Sequence, residues 1–412
     1  MNLNVSTLAS APRLELPPTA PAPARAALRL LAGLHHGRLD LQLPEGVQAR
    51  FGAADAAGPH AAMRLVNWNV FAAALRSGDI GFAESYIDGD WSTPDLAALL
   101  RLLIANRDTV ESAVYGSWWG SLLYRARHLL NRNSRRGSRK NIHAHYDLGN
   151  EFYRLWLDET MNYSSAWFEG DHTRSLVAAQ HAKVRRALAE CGLSPGQRLL
   201  EIGCGWGALA EVAAAGFDAR VTGVTLSSEQ LVYARQRLAS AGLADRADLR
   251  LQDYRDIDDE PFDAIVSIEM FEAVGRAYWP GFFATVRNKL KRGGRACIQS
   301  ITIRDDLFER YVAGTDFIQQ YIFPGGLLPS PGAFRAQAQA AGLEVVNELA
   351  FGADYAETLR RWRERFLAEE ARVRTVGFDS RFMRIWEFYL AYCEAAFAGG
   401  NTDVIQFTLR RP

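Results

Sequence analysis

The sequence has few cysteines, no net charge and no long apolar run, and each absence excludes a class of protein. Its 412 residues include 4 cysteines, none in a CxxC pair, which argues against a disulfide framework or a compact zinc site and favours free thiols. Lysine plus arginine and aspartate plus glutamate number 47 each, and a zero net charge argues against a dedicated nucleic-acid binder. No apolar run approaches the roughly 20 residues of a membrane-spanning helix, so we expect any membrane contact to be peripheral.

The chain length favours two domains. Residues 1–25 are rich in proline and alanine and lack the basic start and apolar core of a signal peptide, so we expect a disordered arm on a cytoplasmic protein. We then expect a small α+β domain at 26–124, a basic linker at 125–142 and a larger domain at 143–412. In the small domain, apolar periodicity predicts strands at 37–44 and 64–68 and helices over 70–75, stopping at Gly78, and over 95–104.

Residues 125–140 form a basic stretch, with no acid before Asp147. Its members are Arg125, Arg127, Arg132, Arg135, Arg136, Arg139 and Lys140. Two interpretations stay open: a solvated linker, or a patch that meets anionic lipid headgroups at about 1 kcal/mol per basic residue. The pair Trp118-Trp119 just upstream favours the membrane, since tryptophan prefers interfaces.

From residue 176 onward helices and strands alternate. Periodicity predicts helices at 177–189, 208–215 and 228–241, and strands at 198–202, 219–224, 249–251 and 262–267. Such alternation predicts an α/β fold with a doubly wound, Rossmann-like parallel sheet, whose site lies at the carboxyl ends of the strands.

A glycine-rich turn joins the first of these strands to its helix. Gly203, Gly205 and Gly207 are spaced two apart, which does not match the G-x-G-x-x-G of nicotinamide sites. Together with Glu201 at the strand end, the spacing resembles the first motif of class I S-adenosylmethionine (SAM) methyltransferases. Glycines at this position let the backbone approach a ligand closely.

The next two strand ends carry polar residues suited to the rest of the same cofactor. Thr225, Ser227 and Gln230 stand where many SAM enzymes place an acid for the ribose hydroxyls, although Ser227 also suits a plain helix N-cap. At 252–254 the residues are Gln252, Asp253 and Tyr254. An acid and an aromatic ring there suit the amine and the face of adenine.

With these motifs in view, the chain resembles the cyclopropane fatty acid synthase family and its mycolic acid relatives. The resemblance runs from about His145 to Phe397 and rests on the segments 145–150, 161–166, 201–207, 223–227, 252–256, 269–275, 321–326 and 351–355. Residues 82–91 resemble the family's smaller lipid-binding-like N-terminal domain. The resemblance implies a class I SAM methyltransferase, acting as a homodimer at the inner face of the membrane on phospholipid acyl chains.

The implied reaction converts a cis alkene into a cyclopropane. The alkene takes the SAM methyl group, a carbocation develops, a base removes a proton from the new methyl, and the ring closes. Aromatic faces that tolerate a cation are needed. The candidates are Tyr278, Trp279, Phe282, Phe283, Tyr311, Phe317, Tyr321, Phe323 and Tyr355.

The resemblance also implies which residues do the chemistry. The base is a bound bicarbonate, whose ligands map to Glu272, Tyr355, the backbone of Ile301, Gln299 and Ser165. Gln299 and Ser165 depart from the family's histidine and cysteine, and both remain hydrogen-bond donors. Tyr163 and Ser164 map to positions that contact SAM. Cys393 matches a cysteine often described as the active site, but with no His or Lys beside it in an amphipathic segment, we expect a structural thiol.

Three alternatives remain open from the sequence. The same carbocation quenched differently gives a methyl-branched or methylene product. A small-molecule SAM methyltransferase needs a smaller, less aromatic pocket than the C-terminal half predicts. A non-catalytic lipid carrier is disfavoured by the intact SAM motifs.

Overall fold

The computed structural model describes residues 17–52, 58–109 and 148–412. The chain forms two compact units, Met1–Ser117 and Trp118–Pro412. Most of the expected N-terminal arm, the boundary after residue 124, the Trp118-Trp119 pair and the basic stretch lie outside the described residues.

The N-terminal unit is built on a four-stranded mixed sheet. Its strands are β1 (Arg38–Gln42), β2 (Gln48–Phe51), β3 (His60–Leu65) and β4 (Trp91–Ser92). Its helices are α1 (Ala22–Leu31), α2 (Asn69–Ile87) and α3 (Leu96–Ala105). The strand order is β2-β1-β3-β4, with β1 antiparallel to β2 and parallel to β3, and β3 antiparallel to β4. The predicted α+β class is confirmed.

Two elements of this unit differ from their predicted bounds. The strand predicted at 64–68 begins earlier, because β3 pairs with the whole of β1 from His60 onward. The helix predicted to stop at Gly78 does lose helical geometry at Ser77 and Gly78, but a second helical segment follows and α2 ends at Ile87. Gly81 permits the sharp kink, since a Cβ there would lie 2.0 Å from the Ala73 carbonyl oxygen.

The larger unit is built on a seven-stranded sheet. Its strands are β5 (Arg198–Ile202), β6 (Arg220–Thr225), β7 (Ala247–Leu251), β8 (Phe262–Ile268), β9 (Leu290–Ile303), β10 (Glu344–Ala350) and β11 (Thr402–Arg410). The strand order is β10-β11-β9-β8-β5-β6-β7. The five strands from β9 to β7 in this order are parallel, and β11 runs antiparallel between β9 and β10.

Helices surround this sheet. They are α4 (Asn150–Trp156), α5 (Leu176–Glu190), α6 (Ala208–Gly216), α7 (Ser228–Ser240), α8 (Trp279–Lys289), α9 (Asp305–Ala313), α10 (Phe317–Tyr321), α11 (Pro331–Ala340), α12 (Gly352–Ala368), α13 (Glu370–Thr375) and α14 (Ser380–Ala398). Two buried apolar clusters contain side chains of the parallel strands, one with α8 and α11 and the other with α5, α6 and α7. The predicted Rossmann-like, doubly wound fold is confirmed.

The sheet topology determines where a ligand binds. The chain leaves β5 for β6 on one side and later returns to β8 on the other. The connections therefore diverge at the carboxyl ends of β5 and β8, and such a switch point opens a crevice in an α/β sheet.

In the part of the chain that the structure describes, no helix is long and apolar enough to cross a membrane.

Candidate active site

A cleft opens at the carboxyl ends of β5, β6 and β8, as the switch point requires. Every residue predicted to bind SAM lines it except Gly207 and Ser227. The lining members are Tyr163, Ser164, Glu201, Gly203, Gly205, Thr225, Gln230, Gln252, Asp253 and Tyr254. The structure thus brings four separate segments of the sequence to one place.

The glycine-rich turn forms the floor of this cleft. Gly203 and Gly205 have φ angles of 88° and 49°, in the left-handed region that favours glycine. A Cβ on Gly205 would meet no atom within 4 Å and would point into open space. Gly207 has a different role: a Cβ there would lie 2.9 Å from the Ala234 Cβ, so its glycine lets α6 and α7 pack closely.

Glu201 presents an unusual acceptor to the cleft. Burial raises the pKa of this carboxyl well above its ordinary value, although Lys183 opposes the shift. Its Oε2 is buried and has no hydrogen-bond partner among the described residues. A buried acceptor left unpaired is costly, and the amino and hydroxyl groups of SAM carry the donors that would satisfy it. The residues present therefore fit SAM.

The side chains that follow β6 form hydrogen bonds with one another. Thr225 Oγ1 donates to Gln230 Oε1 at 3.1 Å and accepts from the Ser227 amide at 3.2 Å. Ser227 Oγ accepts from the Gln230 amide at 3.3 Å and caps α7. The capping interpretation of Ser227 accounts for its position, and its contribution to cofactor binding stays a prediction.

The third strand end pairs its acid with a neighbouring cation. Asp253 accepts two bonds from the Arg255 guanidinium, at 2.8 and 2.6 Å. The same guanidinium lies 5.5 Å from the centre of the Tyr254 ring. Asp253 and Tyr254 thus have a fixed geometry in the cleft lining. Their predicted contacts with adenine stay predictions.

Beyond the glycine turn, the cleft ends at Glu269, the first residue after β8. Its Oε1 accepts from the Ser165 amide at 2.9 Å and from Gln299 Nε2 at 2.7 Å. Its Oε2 accepts from the Tyr355 hydroxyl at 2.6 Å. Three residues assigned to the anion site by resemblance therefore converge on a carboxylate that was not among the predicted site residues.

The sheet holds Gln299 in place. In β9 it stands opposite Gln406 of β11, and Gln406 Nε2 donates to Gln299 Oε1 at 3.0 Å. Because the acceptor end of the Gln299 amide is occupied, its NH2 group points to Glu269. Gln406 Oε1 in turn accepts from Arg186 at 2.5 Å.

Helix α12 delivers Tyr355. The helix begins at Gly352, whose amide donates to Asp403 Oδ1 at 2.7 Å. A Cβ at Gly352 would lie 2.6 Å from that oxygen, so glycine is needed for the close approach. Two amides of the loop before α5 also bond to α12: that of Ala166 to Thr358 Oγ1, and that of Phe168 to Asp354 Oδ2. These contacts fix the Ser165 amide and Tyr355 on opposite sides of Glu269.

Glu272 lies three residues after Glu269 and accepts hydrogen bonds from a different set of donors. Its Oε1 accepts from the Ile301 amide and from Ser300 Oγ. Desolvation, and then the charge of Glu269, raise the pKa of Glu272 to about 8. Its Oε2 is buried without a hydrogen-bond partner among the described residues. The raised pKa favours the neutral form of Glu272 at pH 7.

Lys183 supplies a cation to the acids of the site. This residue of α5 is fully buried and donates to Ser164 Oγ at 2.5 Å. Burial lowers its pKa to about 8, while the charges of Glu269, Asp158 and Glu201 oppose that shift. Lys183 is thus mostly protonated at pH 7 and favours the charged forms of the acids it faces.

These contacts do not fit a bound bicarbonate. Tyr355, Gln299 and the Ser165 amide donate to Glu269, and the Ile301 amide donates to Glu272. The Ser165 hydroxyl donates to the Ala166 carbonyl. The donors assigned to the anion by resemblance are engaged by the chain itself, and an added anion would meet the carboxylate of Glu269.

Aromatic rings surround Tyr163 at the edge of the cleft. Its ring centre lies 5.4 to 5.6 Å from those of Tyr153, Trp156 and Trp362, and its hydroxyl is 2.7 Å from that of Tyr389. Of the predicted cation-tolerant rings, Phe323 and Tyr355 pack beside this group. The rings of Trp279, Phe282 and Phe283 are buried in the apolar core instead.

Cys393 lies half-buried on α14. Burial, with the charge of Asp316, raises the pKa of its thiol. A nucleophilic cysteine needs the thiolate form, so the geometry agrees with the expected structural thiol.

Sequence reasoning missed Glu269 and Lys183. Glu269 stood within the quoted segment 269–275, directly after an apolar strand, where a parallel sheet delivers its functional groups. Lys183 shares a helix face with the buried Ala179 and Ala187. A lysine on an otherwise small, apolar face is the signal that would have identified it.

Comparisons with known proteins agree with this geometry. The sequence model described as mycolic acid cyclopropane synthetase matches residues 133–407. The chain is 42% identical over 344 residues to the tuberculostearic acid methyltransferase UfaA1 of Mycobacterium tuberculosis, covering 82% of this chain and 80% of that protein. It is 35% identical over 368 residues to the cyclopropane-fatty-acyl-phospholipid synthase of Escherichia coli, covering 88% and 91%.

A solved structure extends the comparison to three dimensions. The crystal structure of mycolic acid cyclopropane synthase CmaA1, complexed with SAH and CTAB, superposes with a TM-score of 0.62 at 34% identity. The match covers 66% of this chain and 98% of that one.

Proposed function

The chain belongs to the mycolic acid cyclopropane synthetase family of SAM-dependent methyltransferases, and from that premise we propose that it converts the cis double bond of a phospholipid acyl chain into a cyclopropane. The observation that carries this function is the placement of Glu269. Glu269 lines the cofactor cleft, and three donors hold its carboxylate.

The residues of the cleft have separate tasks in this reaction. When bound, SAM supplies an electrophilic methyl group to the alkene. The turn at Gly203 and Gly205 allows the close approach of that cofactor, and Glu201 accepts one of its donors. The rings around Tyr163 exclude water and stabilise positive charge on the acyl chain. A base at the end of the cleft takes the proton released on ring closure.

A methyl-branched or methylene-bearing acyl chain is the second candidate product. The specific observation in its favour is the 42% identity to a tuberculostearic acid methyltransferase. The cyclopropane and the methylene product share methyl transfer, the carbocation and loss of a proton to a base, and differ in which C–H bond breaks and where its electron pair goes. The site geometry serves both of these outcomes, whereas a saturated methyl branch needs in addition a hydride donor or a two-electron reductant.

For the substrate, we infer a phospholipid in a membrane, reached peripherally from the cytoplasmic side. Support comes from the similarity to the phospholipid-acting synthase of Escherichia coli and from the basic stretch between Arg125 and Lys140, which suits anionic headgroups. That stretch lies outside the described residues. A homodimer is proposed from the family resemblance alone.

Expression in a bacterium that lacks such enzymes tests the function. We expect the host's cis-unsaturated acyl chains to gain one carbon, seen by mass spectrometry of their methyl esters. A cyclopropane and a methylene branch are isomers, whereas a saturated branch carries two more hydrogens. Mild catalytic hydrogenation then adds hydrogen to a methylene but leaves the ring. Unchanged acyl chains, with SAM bound and folding intact, would contradict the proposed function.

A further inference from the structure

Glu269 combines two features: its carboxylate is held by three hydrogen-bond donors, and it lines the cofactor cleft. The donors are the Ser165 amide, the Gln299 side chain and the Tyr355 hydroxyl. These are groups that the family resemblance assigns to a bicarbonate. We propose that Glu269 is the catalytic base of this enzyme and replaces bicarbonate with a carboxylate built into the chain.

The groups around Glu269 act on its pKa in opposite directions. Desolvation raises the pKa of Glu269, while Lys183 and the three donors act against it. The neighbouring acid Glu272 has a pKa raised to about 8, in part by the charge of Glu269. Two adjacent carboxyl groups do not both ionise readily. Of the two carboxyl groups, Glu269 is the one held by three donors and influenced by the cation Lys183, and this geometry favours the negative charge on Glu269 over Glu272.

The backbone at Glu269 is strained in a way that aims the side chain. Its φ angle is 49°, a conformation that costs a non-glycine residue roughly 1–3 kcal/mol and that clusters at functional sites. The Glu269 amide donates to the Gln299 carbonyl at 2.9 Å, which helps to hold the turn. A glycine would fit this turn without strain, so the glutamate is retained against its local preference.

This role of Glu269 rests on the proposed function, because a proton must leave the acyl chain in ring closure and in methylene formation alike. Once one alkene carbon has bonded to the methyl carbon, its neighbour carries the positive charge. A C–H bond of the new methyl breaks, and its electron pair forms the last C–C bond of the ring. The proton goes to Oε2 of Glu269, which accepts the Tyr355 hydroxyl and retains a second lone pair. The neutral acid then loses its proton to solvent before the next turnover.

The first test measures turnover against bicarbonate. We expect the wild-type enzyme to make its product at the same rate in carbon-dioxide-free buffer and with added bicarbonate. Glu269→Gln should lower turnover about 10²–10⁴-fold with SAM affinity, measured by calorimetry, nearly unchanged. The matched control is Glu348→Gln, which alters a carboxylate bonded to Arg335 away from the cleft and should leave turnover near wild type. Bicarbonate-dependent wild-type turnover, or an active Glu269→Gln variant, would overturn the assignment.

The second test removes the Glu269 side chain. Glu269→Gly suits the positive φ and leaves Ser165, Gln299 and Tyr355 without their acceptor. We expect this variant to bind carbon-13-labelled bicarbonate or formate, seen by NMR, and to regain turnover saturably when either is added. Wild type should bind neither at this site. Binding by wild type, or a folded glycine variant that binds no anion, would refute the proposal that the Glu269 carboxylate takes the place of bicarbonate.

The two tests separate this role from the proposed function. If wild type modifies no acyl chain, the lipid function fails, and anion binding by Glu269→Gly still decides whether Glu269 fills the anion site. If wild type makes product only with bicarbonate, the lipid function stands and the role of Glu269 fails.

Discussion

Replacing Lys183 with methionine removes the cation that faces Glu269, Glu201 and Asp158 while keeping a side chain of similar length. The acids then have no buried counter-charge from this residue, and the pKa of Glu269 rises further, so a larger share of Glu269 is protonated at a given pH. A protonated Glu269 cannot act as a base. We therefore expect Lys183→Met to lose turnover through its effect on Glu269, which makes Lys183 a positioning residue.

The effect on stability is small because two terms oppose each other. Burial lowers the pKa of Lys183 from 10.5 to about 8, so the charged lysine destabilises the fold by about 3 kcal/mol at pH 7, and methionine removes that term. Protonating a carboxyl whose ordinary pKa is 4.5 costs about 3 kcal/mol at pH 7, which limits the penalty of losing the cation. We expect the free energy of unfolding to change by less than about 2 kcal/mol.

The pH dependence of turnover is the decisive assay. Activity needs the carboxylate form of Glu269, so it rises with pH through the pKa of that group, which Lys183, Tyr355 and Glu272 all influence. A nearby opposite charge lowers a carboxyl pKa by roughly 1–3 units, and Lys183→Met should move the acid limb upward by that amount. Lys183→Gln keeps a donor for Ser164 without the charge and should behave alike. An unmoved acid limb in a folded variant would refute the coupling of Lys183 to Glu269.

Three further outcomes follow from the structure and the sequence. The folded pKa of Glu272 is raised from 4.5 to about 8, so its contribution to stability is full below pH 4.5 and is lost as pH rises through 8, by roughly 5 kcal/mol. Urea unfolding across this range should show that decline in wild type and not in Glu272→Gln. Equal pH dependence in the two proteins would contradict the raised pKa of Glu272. Gly205→Val directs a branched side chain into the open cleft. This variant should lose SAM binding, measured by calorimetry, while its circular dichroism spectrum shows that the protein stays folded. Normal SAM affinity would exclude this turn from the cofactor site. Binding to anionic vesicles should weaken when the charges of Arg135, Arg136, Arg139 and Lys140 are reversed, and added salt should have the same effect. Unchanged vesicle binding by this variant at low salt would favour the interpretation of the stretch as a solvated linker.

The first half of the sheet was predictable because its signals are local. The strand predicted at 198–202 matches β5, and the helix predicted at 208–215 ends one residue short of α6. Each element has its own apolar period and its own glycine or serine at an end, so neighbouring residues suffice to define it. The family and fold followed from motifs of the same local kind.

The polar cluster was not predictable in the same way, because tertiary pairing creates it. Gln299 and Gln406 are 107 residues apart in sequence and meet only when β11 pairs with β9. Glu269 and Glu272 are three residues apart, yet only Glu269, whose φ angle is 49°, accepts the Tyr355 hydroxyl in the part of the chain that the structure describes. Sequence reasoning named Glu272 but not Glu269, and it assigned Tyr355, Gln299 and Ser165 to a bicarbonate, whereas the structure places them on Glu269. The individual roles of the predicted site residues stay predictions.

The position of β11 has a consequence for how the protein is made. This strand lies between β9 and β10, yet the ribosome adds it after every other element that the structure describes. Until then one edge of β9 and both edges of β10 lack a partner among the described strands, and open strand edges invite pairing with other chains. Gln299 also lacks Gln406 during this interval. We therefore expect truncations that remove β11 to yield aggregating protein, and full-length synthesis to benefit from chaperones that cover exposed edges.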